Sequence, residues 1–217
     1  MPAINNLSIR QQIIAGCLTM KQQGLVQGTA GNLSTRVEGG LLVTPTGVAY
    51  EDLVPEQIVR MRWDGTFDGD LLPTSEWRFH RDILASRRDL NAVVHTHSRN
   101  ATAVSILNQD IPPIHYSIAG AGGANIRCAG YATFGTQALS DLALRALEGR
   151  RACLLAHHGV IAAHTTLAKA LSLAQIVEEL AALYLLCLGT GKVPLLSQDD
   201  IDIVLEKYKS YGQPKPA

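Results

Sequence analysis

The sequence predicts an α/β sandwich built on a mostly antiparallel sheet. Several short runs have strand composition, with Val, Ile and Leu bounded by Gly, Asn or Asp. Between them lie longer stretches whose apolar residues recur at helical spacing. The two kinds alternate irregularly, without the regular βαβ units of a parallel sheet. At 217 residues the chain has the length of one ordinary domain.

The elements follow in order. Residues 8–23 form an amphipathic helix with Ile9, Ile13, Cys17 and Met20 on one face, Ser8 as N-cap and Gly24 as the stop. The loop QGTAGN follows at 27–32. Leu33 to Val37, the turn Glu38-Gly39-Gly40 and Leu41 to Thr44 form a hairpin, and Ile58 to Trp63 is a strand ending at Asp64-Gly65. Ser75 caps a helix over 76–87. Ala92 to His95 is a central strand, followed by a helix from Arg99 to Leu107 and another over 136–149. Leu154-Leu155-Ala156 runs through His157-His158-Gly159 into further apolar residues, which predicts one more inner strand. Thr165 to Leu188 is a long helix, apolar over much of its surface and so buried in the core or at a subunit interface. A short helix near 198–209 precedes Tyr211-Gly212.

Composition narrows the function. Apolar residues are 47% and charged ones 18%, a globular balance. Nineteen Lys+Arg against nineteen Asp+Glu leave no net charge, so a bulk grip on nucleic acid or an anionic membrane is not expected. No apolar run is read as a membrane span, and the start MPAINNLSIRQQ lacks the pattern of a signal peptide. A cytoplasmic location is expected. Cys17, Cys128, Cys153 and Cys187 stand far apart and are read as reduced, buried apolar residues.

The histidines carry the chemistry. His95 and His97 are two apart, so on a strand both imidazoles project from one face, about 7 Å apart. Alone, such a pair also fits one core histidine and one exposed one. The pair His157-His158 adds a third imidazole, because neighbours on a strand point to opposite faces and one of them can join the site. Spacing does not say which. Three imidazoles match a catalytic zinc with one open position. Thr74-Ser75-Glu76 reads first as a helix start, but a helix N-terminus with hydroxyls is also an anion site. The loops at 28–32 and 44–47 are rich in hydroxyls and small residues and match no nucleotide motif. Together the three suggest a small phosphate clamp.

The segments QGTAGN, LVTPTG, SEWRFH, VVHTH, AVSILN, IPPIHY, YATFGT, AHHG and EKYKSYG resemble the class II aldolase and adducin family, and within it the L-fuculose-1-phosphate aldolases. The resemblance runs from about residue 8 to 212. It implies a three-layer α/β/α sandwich formed by one domain over 1–217. It implies one Zn²⁺ per subunit on His95, His97 and His158, with Glu76 as the catalytic carboxylate and an additional ligand when substrate is absent. Asn32, Thr46, Gly47, Thr74 and Ser75 would form the phosphate clamp, shaped by Gly31, with Phe134 as an aromatic wall. Tyr116 would reach a neighbour's site and handle the hydroxyl proton, and Tyr211 is the matching tail tyrosine. A C4 homotetramer with sites between subunits is implied. Thr74 stands where many relatives have Ser, which keeps the hydroxyl, and Thr96 and Ser98 occupy variable positions.

The implied reaction is cleavage of a ketose 1-phosphate to dihydroxyacetone phosphate and a short aldehyde, lactaldehyde from L-fuculose 1-phosphate or acetaldehyde from a deoxypentulose phosphate. A pentulose-5-phosphate 4-epimerase and a methylthioribulose-1-phosphate dehydratase share the scaffold. Tyr116 after His115, in place of an acidic residue, speaks against the epimerase. A non-catalytic adducin-like module would not need the histidines and Glu76. Of the other histidines, His80 is expected to make a structural hydrogen bond, His115 to hold structure beside Tyr116, His157 to support the turn and His164 to lie at the surface. Lys169 is read as solvated, not as a Schiff-base lysine.

Overall fold

A computed structural model describes residues 5–212. Helix α1 (Leu7–Gln22) buries Ile13, Gly16, Cys17 and Met20 at helical spacing. Its N-cap is Asn6, in left-handed conformation, and not the expected Ser8. Asn tolerates that backbone better than most residues. Gly24, at φ 69°, stops the helix as expected. Strands β1 (Asn32–Val37) and β2 (Gly40–Val43) form the hairpin, and β3 (Val59–Arg62) pairs with β2.

Helix α2 (Trp77–Ser86) begins one residue later than expected. Its N-cap is Glu76, and Ser75 stands exposed just before it. Strand β4 (Ala92–Thr96) and helix α3 (Arg99–Ile106) match the sequence reading. Strand β5 (Arg127–Ala129) was not expected, since three residues on a sheet edge carry no periodicity. Helix α4 is Gln137–Ala146. The single inner strand expected after Leu154 is two strands, β6 (Ala152–Leu155) and β7 (Gly159–His164), paired antiparallel. His157 and His158 therefore sit in the turn between them, and His157 has φ 56°. Neighbouring residues face opposite ways only within a strand, so alternation does not choose between these two histidines. Helices α5 (Leu167–Leu188, N-cap Thr166) and α6 (Gln198–Ser210) complete the chain.

The sheet order is β3-β2-β1-β4-β7-β6-β5. Among the described residues only the β5–β6 pairing is parallel, so the sheet is mixed and mostly antiparallel. Strand alternation feeds two cores. Leu33, Leu42, Val94 and Ala162 pack with α1, α3 and α5; Leu41, Val43, Val93 and Ile161 pack with α2 and α4. This is the three-layer α/β/α arrangement expected. Helix α5 corrects one reading: by length and composition it is apolar enough to cross a membrane. It packs against β4, β7 and α3, and its Glu178 carboxylate accepts hydrogen bonds from the Asn100 and Ala101 N–H groups at the start of α3. Cys17 and Cys153 are buried as expected, whereas Cys128 and Cys187 are half-buried; all four are free thiols.

Candidate metal centre and active site

The site lies where β1 begins and β4 ends, beneath the start of α2. Asn32 and His95 are register partners on adjacent antiparallel strands, so their side chains share the face that α2 covers. His97 follows the end of β4. His158 arrives from the β6–β7 turn, which can approach because Gly159 has no side chain: a Cβ there would stand 2.3 Å from the Thr96 carbonyl oxygen. Glu76, at the head of α2, is 5% exposed and faces the three imidazoles.

The geometry converges on one point. Ligand atoms of Glu76, His95, His97 and His158 all lie within 4.8 Å of one another. The ring centroids of the three histidines are 4.7, 4.8 and 4.9 Å apart, with each pair of rings steeply inclined. His95 Nδ1 donates to the Val160 carbonyl at 2.8 Å, so in the neutral ring Nε2 carries the lone pair. That nitrogen is 2.8 Å from His97 Nε2 and 3.1 Å from Glu76 Oε2. Glu76 Oε1 is buried without a hydrogen bond, although His158 Nε2 is 3.2 Å away. Acceptors crowded together in a largely buried site are reconciled by a shared cation. Three imidazoles and a carboxylate are borderline-to-hard donors that suit a divalent metal.

Protonation divides the cluster: burial alone would lower the pKa of His95, but the Glu76 carboxylate beside it and the Val160 carbonyl raise it. Burial, reinforced by charge on His95, lowers the pKa of His97 to about 3 and of His158 to about 4. Both are neutral at pH 7, the form a metal requires. Burial opposes ionisation of Glu76, but charge on His95 and the hydrogen bond from His95, with smaller contributions from His158 and the Asn32 hydrogen bond, outweigh it. Its carboxyl is held well below the usual carboxylate range.

A cavity of about 450 Å³ opens beside these groups. Gly31, Asn32, Thr46, Gly47, Thr74, Ser75, Glu76, His97, Phe134 and His158 line it. His95 lies behind, fully buried. No Lys or Arg is among the lining residues, so the polar wall consists of hydroxyls, amide groups and a helix start. Gly47 holds φ 70°, and Tyr50 donates to the Gly31 carbonyl at 2.5 Å, which fixes the two loops.

Two sequence-predicted residues are not brought to this cavity. Tyr116 is 53% exposed and Tyr211 85% exposed; both lie near Tyr208, and neither lines the cavity. Thr29, Ala30 and Pro45, in the loops read as the clamp, also line the cavity, whereas sequence reasoning missed Tyr131 and Ala132 on its wall. Tyr131 stands in the same YATFGT segment that supplied Phe134, and that proximity was the available signal. His157 also lines the cavity; it is exposed and 3.0 Å from Asn108 Nδ2. His80 makes the buried hydrogen bonds expected of it, to Ser34 and Asn32. His115 accepts from the Ser117 N–H and lies against Tyr116, with ring centroids 4.5 Å apart. His164 is half-buried rather than at the surface, and Lys169 is exposed as read.

Comparison with known proteins agrees with this architecture. The sequence profile described as Class II Aldolase and Adducin N-terminal domain matches residues 11–185. The chain is 54% identical over 205 residues to L-fuculose phosphate aldolase of Escherichia coli (strain K12), which covers 94% of this chain and 95% of that protein. It is 49% identical over 208 residues to a 5-methylthioribulose-1-phosphate/5-deoxyribulose-1-phosphate aldolase of Rhodospirillum rubrum, covering 96% and 94%. A solved structure of L-fuculose 1-phosphate aldolase matches with a TM-score of 0.91 at 34% identity, covering 95% of this chain and 98% of that one. With its fold, its His/Glu cluster and these matches over nearly its full length, this chain belongs to the class II aldolase and adducin family.

Proposed function

We propose that this class II aldolase cleaves a ketose 1-phosphate into dihydroxyacetone phosphate and a short aldehyde, with zinc as its metal. The observation that carries the reading is the cluster of three imidazoles and Glu76, set beside a cavity whose far wall is hydroxyl-rich and uncharged. The chemistry needs both. When bound, the metal supplies a Lewis acid for the negative charge that develops on the ketose oxygen as the carbon–carbon bond breaks.

The protein's own groups account for the remainder. The Thr74–Ser75 start of α2 and the loops at Gly31–Asn32 and Thr46–Gly47 hold the phosphate through hydroxyls and N–H groups. That remote grip orients the reacting carbons. In the condensation direction Glu76, kept ionised, takes the proton from the triose carbon. In cleavage the same group returns it. In condensation the Tyr116 phenol of a neighbouring subunit in a C4 homotetramer, with Tyr211 beside it, donates its proton to the aldehyde oxygen as that oxygen becomes the hydroxyl, and in cleavage the phenolate takes the proton back. The exposure of both tyrosines, outside their own chain's cavity, supports that assignment. Phe134, 63% exposed at the cavity mouth, serves as the apolar wall of the aldehyde side. A cytoplasmic enzyme fits the four free thiols.

L-Fuculose 1-phosphate is the first substrate in this reading, and 5-deoxyribulose 1-phosphate the second, favoured by the 49% identity to the Rhodospirillum rubrum protein. The two differ in the aldehyde released. The test incubates the metal-loaded protein with each, coupled to detection of triose phosphate. Dihydroxyacetone phosphate from one or both is the expected result, and none from either overturns the reading.

A further inference from the structure

Four buried polar side chains form a continuous chain behind Glu76. Asn32 and Ser34 are two apart on β1 and so share a face. Glu76 and His80 are four apart at the head of α2 and share one side of it. The two pairs face each other. Asn32 Nδ2 is 2.9 Å from Glu76 Oε2, Asn32 Oδ1 is 2.5 Å from His80 Nε2, and His80 Nδ1 is 2.8 Å from Ser34 Oγ. His80 and Ser34 are fully buried, and Asn32 and Glu76 are 5% exposed.

The donor directions are determined. An ionised Glu76 only accepts, so Asn32 must turn its amino group toward it. The Asn32 oxygen then faces His80, which requires a proton on Nε2. A neutral His80 then accepts at Nδ1 from the Ser34 hydroxyl. Every link has one donor and one acceptor, and the sequence ends at the carboxylate. The carboxylate already favours this orientation of the Asn32 amide, since the reverse one sets oxygen against oxygen, and the imidazole adds the second hydrogen bond that holds the amide in place.

We propose that His80 is a positioning residue for the aldol reaction: with Ser34 behind it, it locks the Asn32 side-chain amide so that its amino group aims at Glu76. It touches neither substrate nor metal and acts through Asn32. The inference rests on the role given to Glu76 above, and its test separates the two.

The ring of His80 should be the Nε2–H tautomer by ¹⁵N NMR, in metal-free and metal-loaded protein alike; the Nδ1–H tautomer overturns the proposal. His80→Phe should lower kcat by about 10–100-fold while KM stays within about twofold. His80→Gln, which can both donate to Asn32 and accept from Ser34, should recover most of that loss and guards against a folding defect in the Phe variant. In an Asn32→Ala background His80→Phe should cost nothing further, because its route is already cut. An unchanged kcat in His80→Phe, or losses that multiply in the double variant, overturns the proposal. If the wild-type protein releases no triose phosphate, the proposed function fails, and the tautomer still decides whether His80 orients the Asn32 amide.

Discussion

His95 Nε2 stands 2.8 Å from His97 Nε2, while the other nitrogen of His95 is committed to the Val160 carbonyl. Two lone pairs at that distance repel unless a proton or a metal lies between them. Burial disfavours a second proton on His97, and a divalent metal shared by all three imidazoles relieves the crowding of the whole cluster. Metal binding should therefore stabilise the fold. At a free-metal level about a thousand times its Kd, the gain is about 4 kcal/mol. Stripping the metal with a chelator should lower Tm by about 10 °C in a chain of this size. His97→Ala should carry little metal, measured by atomic absorption, and its Tm should ignore the chelator. A full metal complement in that variant would remove His97 from the centre.

Gly159 offers a test of the same centre from the backbone. A Cβ there would fall 2.3 Å from the Thr96 oxygen and 2.9 Å from His97 Cδ2. The first neighbour is backbone of a paired strand and cannot step aside. Gly159→Ala should destabilise by about 1–3 kcal/mol, read as a shift in urea midpoint. It should also weaken metal binding, because the displaced atoms belong to His97 and the strand end that carries it. A variant with wild-type metal affinity would show that the β6–β7 turn does not set the position of His97.

These two residues also show what the sequence could reveal. The period of a strand was enough to pair His95 with His97, and composition was enough to suspect a third histidine. It was not enough to see that His157 and His158 form a turn, since the sharp reversal needs His157 at positive φ, which no pattern signals. The layers were legible because β-strand alternation matches the two cores, with Val93 on one side and Val94 on the other. Strand β5 was invisible, since its pairing with β6 is a matter of tertiary context. The link from Ser34 through His80 and Asn32 to Glu76 joins positions up to 48 residues apart. Only the docking of α2 on β1 creates it.

His80 also sets an acid limit on stability. Burial, aided by charge on His95, lowers its pKa to about 3. The unfolded value is near 6.5. The folded state thus disfavours the proton that the unfolded state takes up. The contribution is fully present above about pH 6.5 and is lost as pH falls toward 3, with a slope of up to about 1.4 kcal/mol per pH unit. Urea midpoints measured from pH 7 to 4 should fall less steeply in His80→Gln than in the wild type. Parallel curves would mean that His80 titrates normally in the fold.

Tyr116 gives the test of the proposed assembly. It is 53% exposed and stands outside the cavity that holds Glu76 of its own chain. If it completes a neighbour's site, one site draws Glu76 from one subunit and Tyr116 from the next. Glu76→Gln and Tyr116→Phe proteins, each nearly inactive alone, should then complement each other. On unfolding and refolding an equal mixture, random assembly around a ring leaves about a quarter of the sites with both native groups. Activity should rise to about a quarter of the wild-type level per chain, against almost none when the two are mixed without subunit exchange. The converse arrangement, with Tyr116 serving its own chain, gives no intact site in any mixture. Refolded mixtures that stay as inactive as the separate variants would therefore rule out the shared site.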